Sequence, residues 1–301
     1  MGRKEQCEDV HNYKNMKLVF GLKLLPRDPR NLQLGKIVSL PAYDLTPDEF
    51  CLETLEIKNQ KDTDFCASFS SSTASELQES VLLAPEFTFA AAKEISGDIQ
   101  GFGLSFYDVL KAHIQVGAIE KKNSPFSVET KDRDFLADIK NWPLEMKLYA
   151  GFHRKKTYWE VSGQQTITND IRSALWYFRN EKRAVLFGVQ WGWDVKEIKI
   201  NTIPESGIGH ALLIIGYKHI DNELYFIVQN SYGKEAGYNG THYFHWRVVE
   251  KFVKQFGAFM LLDLNKEEAE QYLSTGRQLG ENWVWGIIRS LLAFIKDIFK
   301  K

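Results

Sequence analysis

Cysteine is scarce in this chain. Three cysteines in 301 residues, at positions 7, 51 and 66, are too few and too scattered for a disulfide framework, so a reducing compartment is expected. An excess of one charge is also missing. The 38 Lys and Arg balance 39 Asp and Glu to a formal charge of −1, which leaves no electrostatic case for a nucleic acid or an acidic polymer as partner. Met1-Gly2-Arg3-Lys4-Glu5-Gln6 runs into charged residues with no apolar stretch of the signal-peptide kind, and Gln6 breaks the myristoylation pattern. A cytoplasmic location is therefore the expectation, and the sequon Asn239-Gly240-Thr241 carries little weight in that setting. His242 and His245 have no Cys or carboxylate at ligand spacing, so no metal is expected. Gly101-Phe102-Gly103 lacks the third glycine of a nucleotide signature. No internal repeat or low-complexity tract is present.

What is present is ordinary for a soluble enzyme: 44% hydrophobic, 26% charged and 13% aromatic residues. Pro26, Pro29 and Pro41 punctuate an irregular first ~40 residues. Leu52–Lys58 reads as a short strand, followed by Asp62, Thr63 and Asp64 as N-cap chemistry for a helix starting near Phe65. That helix is rich in small residues, as one packed on two sides should be. Pro85 opens a second helix over 86–95, and a third runs from Ser105 to Val116. After Trp142 the chain changes character. A strand at 157–161 precedes a helix over about 169–179, and 184–191 reads as a buried strand. Strands at 210–220 and 223–229 join through Asp221-Asn222, a tight hairpin turn. Two more are expected at 243–247 and 258–263. A helical lobe (about 60–142) followed by a β-rich lobe (about 143–263) is an α+β architecture. Residues 1–49 form an N-terminal extension and 264–301 a C-terminal one.

Within the C-terminal extension, residues 283–299 carry an apolar stripe at 284, 287, 288, 291, 295 and 298. The stretch falls short of the ~20 apolar residues of a bilayer span and carries charges. It suits a helix docked on the body or on a partner protein. Trp283, Trp285 and Lys300-Lys301 also suit a helix lying peripherally in a membrane interface.

The chemistry-bearing residues are Cys66, Gln60 six positions before it, His210 in Gly209-His210-Ala211, and Asn230 in Asn230-Ser231-Tyr232-Gly233. A nucleophilic cysteine attacks as thiolate and needs surroundings that lower its pKa. A helix start supplies partial positive charge, and a histidine can supply more as imidazolium before protonating the leaving amine. Cys66 stands at the expected helix start. The sequence alone does not bring His210 to it.

The stretches around these residues resemble the papain-like cysteine peptidases. Gln60-Lys-Asp-Thr-Asp-Phe-Cys66-Ala-Ser-Phe-Ser70 is similar to that family's nucleophile motif. Ile208-Gly-His210-Ala-Leu-Leu-Ile-Ile-Gly216-Tyr217 is similar to its histidine strand. Asn230-Ser-Tyr-Gly233, with Gly237 and Gly240 behind it, is similar to its asparagine motif. Weaker echoes lie at 83–87, 101–110 and 184–191, so the likeness covers roughly residues 50–263. His210 follows Cys66 by 144 positions, inside the ~130–150 typical of these enzymes, and Asn230 lies slightly beyond it.

The resemblance implies a two-lobed fold, a helical lobe and a β-barrel-like lobe with a cleft between them. It implies a peptidase acting on peptide or protein substrates through a thioester, with no cofactor. Cys66 would be the nucleophile, His210 the acid and base, Asn230 the orienter of His210, and Gln60 with the Cys66 N–H the oxyanion donors. Gly101, Gly103 and Gly209 would bind extended substrate. Two alternatives are an inactive homologue used as a peptide-binding module and an acyl transferase or deamidase with the same triad. The chain departs from the family pattern at Lys61–Asp64, where glycines and a cysteine are usual, and at Ala67 and Tyr232, where tryptophans are usual. Asp64 would bring a carboxylate near the thiol, opposing thiolate formation. The sequence shows no long helical pro-region and leaves open whether residues 1–40 lie in the cleft.

Overall fold

The computed structural model describes residues 12–13, 16–26 and 28–263. In chain order the helices are α1 (Leu34–Ile37), α2 (Cys66–Glu79), α3 (Pro85–Ser96), α4 (Phe106–Gln115), α5 (Arg133–Ala137), α6 (Leu144–Ala150), α7 (Ile167–Tyr177) and α8 (Trp246–Phe256). The strands are β1 (Asn12–Tyr13), β2 (Met16–Lys17), β3 (Glu49–Cys51), β4 (Thr157–Glu160), β5 (Val185–Trp191), β6 (Lys199–Ile200), β7 (Ile208–Ile220), β8 (Glu223–Gln229), β9 (Thr241–His245) and β10 (Ala258–Leu262). The described chain up to Leu262 is one compact unit. The stripe at 283–299 lies outside the described residues.

The first lobe is built on α2, whose residues from Cys66 to Leu77 are all buried. So polar a helix can be buried because its hydroxyls bond back to its own carbonyls: Ser68 to Phe65, Ser70 to Cys66, Ser71 to Ser68 and Thr73 to Phe69. Its small side chains let α3 and α4 approach closely on one side and β7 on the other. Pro85 occupies the first turn of α3, which stops at Gly97 in the left-handed region (φ +68°). Ser105 and Asp108 form a reciprocal capping box on α4.

The second lobe is an open sheet of order β4-β10-β5-β7-β8-β9-β6, with β3 added along β7. The expected barrel-like lobe is thus not closed: the path ends at β4 and β6. β7 and β8 form the expected hairpin, with Asp221 and Asn222 at φ +53° and +63°, the pair of positive values that a type I′ turn requires.

Three local expectations fail. Residues 52–58 form no strand, and the pairing segment is β3, just upstream. Helix α2 has Phe65 at its N-cap with no side-chain cap bond, because Asp64 turns its carboxylate elsewhere. Arg247 belongs to α8, not to a strand. Val248, Val249, Phe252, Val253 and Phe256 form the buried face of α8, a 3.6-residue period overshadowed by the aromatic run before it.

Candidate active site

The sheet and α2 bring four distant residues together. His210 sits in β7 opposite Val189 of β5, and Asn230 follows the last residue of β8. The Gln60 loop is tied to the Asn230 loop by two main-chain bonds, Gln60 N to Ser231 O (2.7 Å) and Gly233 N to Lys58 O (2.9 Å), and Thr63 N to Gln60 O (3.3 Å) closes the Gln60 loop on itself. The Ser231 hydroxyl also donates to Gln60 Oε1 at 2.5 Å.

His210 Nε2 lies 2.9 Å from Asn230 Oδ1. An amide oxygen only accepts, so Nε2 carries the proton. Nδ1 is buried and has no hydrogen-bond partner. The ring lies nearly parallel to Tyr232 (21°, centroids 5.3 Å apart) and meets Phe20 and Trp191 edge-on at 4.9 and 5.4 Å. Tyr232 thus covers His210 where a tryptophan is usual. Burial pushes His210 down to about 3, against a smaller upward pull from the Asn230 bond.

Cys66 is the first residue of α2 and is fully buried. The expectation of a lowered thiol pKa fails here. Burial pushes it up to about 11, although the N–H groups of Ala211, Gly21 and Ala67 pull the other way and Asp64 adds only a small rise. With the thiol raised and the imidazole lowered, both groups are neutral near pH 7.

The burial has a visible source. Residues 18–23 form a strap across this site, with Leu18, Phe20 and Leu22 all buried. Leu22 N donates to Gly209 O (2.9 Å), Leu104 N to Gly21 O (2.8 Å) and Lys23 N to Leu104 O (2.8 Å). The pairing of Leu22 with Leu104 is parallel. The Val19 carbonyl accepts from Gln60 Nε2 at 3.0 Å and from the Tyr232 hydroxyl at 2.6 Å. The other Gln60 Nε2 proton goes to Thr63 O at 2.6 Å, so that amide is fully occupied.

The strap lies so close that a Cβ would not fit at three glycines. One on Gly21 would stand 2.2 Å from Asp64 O, one on Gly103 2.1 Å from Gly21 O, and one on Gly209 2.0 Å from Leu22 O. Gly103 and Gly209 therefore flank the strap. Gly101 is engaged differently: its N–H donates to Asp98 (2.9 Å), and its carbonyl accepts from Lys93 and Arg133.

Asp64 proves to be a prop for this loop. Its side chain is 1% exposed, accepts from Gly103 N at 2.5 Å and pairs with Arg133 at 3.1 Å. Lys93 donates to the carbonyls of Asp98, Gly101 and Gly103, and burial lowers it to about 8. Arg133, Lys93 and the strap carried no sequence signal, because each reaches the site from a separate part of the chain.

No family model and no curated protein matches the chain. Solved structures do. The chain aligns with xylellain, a cysteine protease from Xylella fastidiosa, at a TM-score of 0.66 and 15% identity, covering 82% of this chain and 96% of that one. The fold is papain-like. The bromelain protease from Ananas comosus aligns at TM-score 0.54 and 15% identity, over 71% of this chain and 98% of that one. Procathepsin L 3 from the larval midgut of Tenebrio molitor aligns at 0.56 and 14%, over 78% and 75%. At such identities the likeness carries the papain-like fold and leaves the chemistry to be argued from this chain's own residues.

Proposed function

We propose that the protein is a cysteine-type peptidase, closed in this state by its own residues 18–23. The observation that carries this is the His210–Asn230 pair. The amide oxygen holds the proton on Nε2, leaving Nδ1 as the basic nitrogen, on the strand whose next residue, Ala211, offers its N–H to the Cys66 sulfur. The fold shared with xylellain, a cysteine protease, supports the same assignment.

Once the strap leaves, water reaches both groups and the opposing shifts relax. The Cys66 thiol passes its proton to His210 Nδ1, and the sulfur bonds to the substrate carbonyl carbon. The resulting oxyanion is held by Gln60 Nε2, freed from Val19, and by the Cys66 N–H, donors typically worth ~10²–10³ in rate each. The C–N bond breaks as the departing amine takes the proton from Nδ1. Water, deprotonated by the same nitrogen, then hydrolyses the thioester and restores the thiol. Peptide would lie where the strap lies, against Gly103 and Gly209.

The test uses full-length Gly21→Val, designed to release the strap, beside Gly21→Val/Cys66→Ala. Both are incubated with a mixed peptide library in H₂¹⁸O and the products are weighed by mass spectrometry. New C-termini carrying ¹⁸O only when Cys66 is present are the expected result. Ligated or deamidated products would assign the site to acyl transfer or deamidation instead, and an unchanged library would leave a peptide-binding module.

A further inference from the structure

The proton arrangement assigned to His210 depends on the orientation of the Asn230 amide, and that amide has a second partner. Asn230 Nδ2 lies 3.0 Å from His242 Nε2, and His242 Nδ1 lies 2.6 Å from the main-chain carbonyl of Glu197. His242 belongs to β9, paired with Val228 of β8, and is fully buried. It is one of the two histidines, with His245, for which the sequence shows no ligand partners and no metal is expected.

Each link constrains the next. A carbonyl oxygen can only accept, so Nδ1 of His242 carries a proton. Burial lowers this ring to about 4, so near neutral pH it holds one proton and its Nε2 is an acceptor. An acceptor at Nε2 requires the NH₂ end of Asn230, which turns Oδ1 toward His210. The Ser231 N–H, which can only donate, meets the same Oδ1 at 2.8 Å. His210 Nε2 must then be protonated and Nδ1 bare. The two histidines thus hold opposite tautomers, with main-chain groups fixing the relay at the Glu197 carbonyl and at the Ser231 N–H.

Packing protects this arrangement. Trp191 lies edge-to-face with both rings, at 5.4 Å from His210 and 5.2 Å from His242, and keeps water from competing for the amide. A Cβ on Gly237 would come within 2.8 Å of His242 Nδ1, so the ring has its place only because position 237 is glycine.

We propose that His242 is a positioning residue: through Asn230 it holds the proton of His210 on Nε2 and so keeps Nδ1 bare and basic. The inference rests on the peptidase function proposed above, but its structural part can be read without activity. Full-length protein with ¹⁵N-labelled histidine is examined by long-range ¹H–¹⁵N correlation at pH 7, with His210→Gln and His242→Gln assigning two of the seven histidines. Wild type is expected to show an Nε2–H tautomer at His210 and Nδ1–H at His242. His242→Leu removes the acceptor and should mix the His210 tautomers, whereas His242→Gln, whose side-chain oxygen can accept from Asn230, should keep the Nε2–H form.

In the Gly21→Val background, His242→Leu should lower kcat about tenfold, the scale of one buried neutral hydrogen bond, with KM within about twofold. His242→Gln should recover most of that loss. An Nδ1–H tautomer at His210 in wild type, or a leucine variant with unchanged tautomer and kcat, would overturn the proposal. Should His242→Leu fail to fold, the wild-type tautomers and the glutamine variant still decide it. If Gly21→Val hydrolyses nothing while the tautomers are as stated, the peptidase function fails and the relay stands.

Discussion

Gly21→Val, in the otherwise intact chain, is the sharpest probe of the strap. The φ of Gly21 lies outside the left-handed region, so a side chain there costs no backbone strain once the strap is free. In the closed state its Cβ would stand 2.2 Å from the Asp64 carbonyl oxygen and 2.7 Å from its carbon. Those are main-chain atoms, pinned by α2 on one side and by the bond from Gln60 Nε2 to Thr63 O on the other, so they cannot yield as a flexible side chain would. Overpacking of this kind costs ~1–3 kcal/mol, or roughly 5- to 150-fold in the ratio of open to closed strap.

Cys66 reports that ratio. A thiol at about 11 is ionised in only about one molecule in 3,000 at pH 7.5, against about one in ten for an ordinary thiol, a difference of ~300-fold in alkylation rate before any shielding is counted. Full-length wild type should therefore react slowly with iodoacetamide at Cys66, and faster by tenfold per pH unit toward pH 11. Gly21→Val should react roughly 5- to 150-fold faster at pH 7.5, within the ~300-fold that restored ionisation makes available. Mass spectrometry separates Cys66 from the exposed Cys51. Wild-type Cys66 labelled at the rate of a free thiol would refute the burial argument. Gly21→Val labelled as slowly as wild type, with an unchanged melting curve, would refute the claim that the strap rather than the rest of the site buries the thiol.

Three further outcomes follow from buried ionisable groups. Cys66 is raised from the ~8.5 of an ordinary thiol to about 11, so between those pH values the unfolded chain has lost a proton that the folded chain keeps. Stability should fall there by up to ~1.4 kcal/mol per pH unit, and Cys66→Ala should remove that slope in urea titrations from pH 8.5 to 11. His210 is held down to about 3 from 6.5. Its contribution is fully present above 6.5 and is lost as pH falls toward 3, so His210→Gln should flatten part of the acid limb. An acid limb identical in wild type and His210→Gln would contradict the assignment. The third outcome concerns Lys58 and Glu76, an ion pair with side chains 6% and 1% exposed. Glu76 Oε1 also accepts from Leu83 N at 2.6 Å. Lys58→Met strands a buried carboxylate and should cost ~3–5 kcal/mol in urea unfolding. The Lys58→Met/Glu76→Gln double variant should recover much of it, and a single variant as stable as wild type would show that the pair is not buried in solution.

Much of the frame follows from the chain's own local chemistry. The small-residue helix from Cys66, the proline-opened α3, the Ser105 start of α4 and the Asp221-Asn222 turn are short-range matters of periodicity, capping and positive φ, and all are legible in sequence. So was the set of Cys66, Gln60, His210 and Asn230, whose spacings resemble a known family. What local chemistry could not supply was pairing across long separations. Asp64 reads as a cap, yet it serves Gly103 and Arg133 because a buried carboxylate goes to the strongest donors in reach. The segment 49–58 pairs through Glu49–Cys51, against Gly216–Lys218 of β7, beyond the stretch of β7 that β5 covers.

The titration states reversed for the same reason. A helix start pulls a thiol pKa down in any sequence, but the penalty for burying its charge depends on what covers it, and here the cover comes from residues 18–23, about forty positions upstream. Sequence by itself determined which groups are proposed to react. The tertiary structure decided that, in this state, they are neutral and out of reach, because solvation is a property of everything packed around a group rather than of its neighbours in the chain.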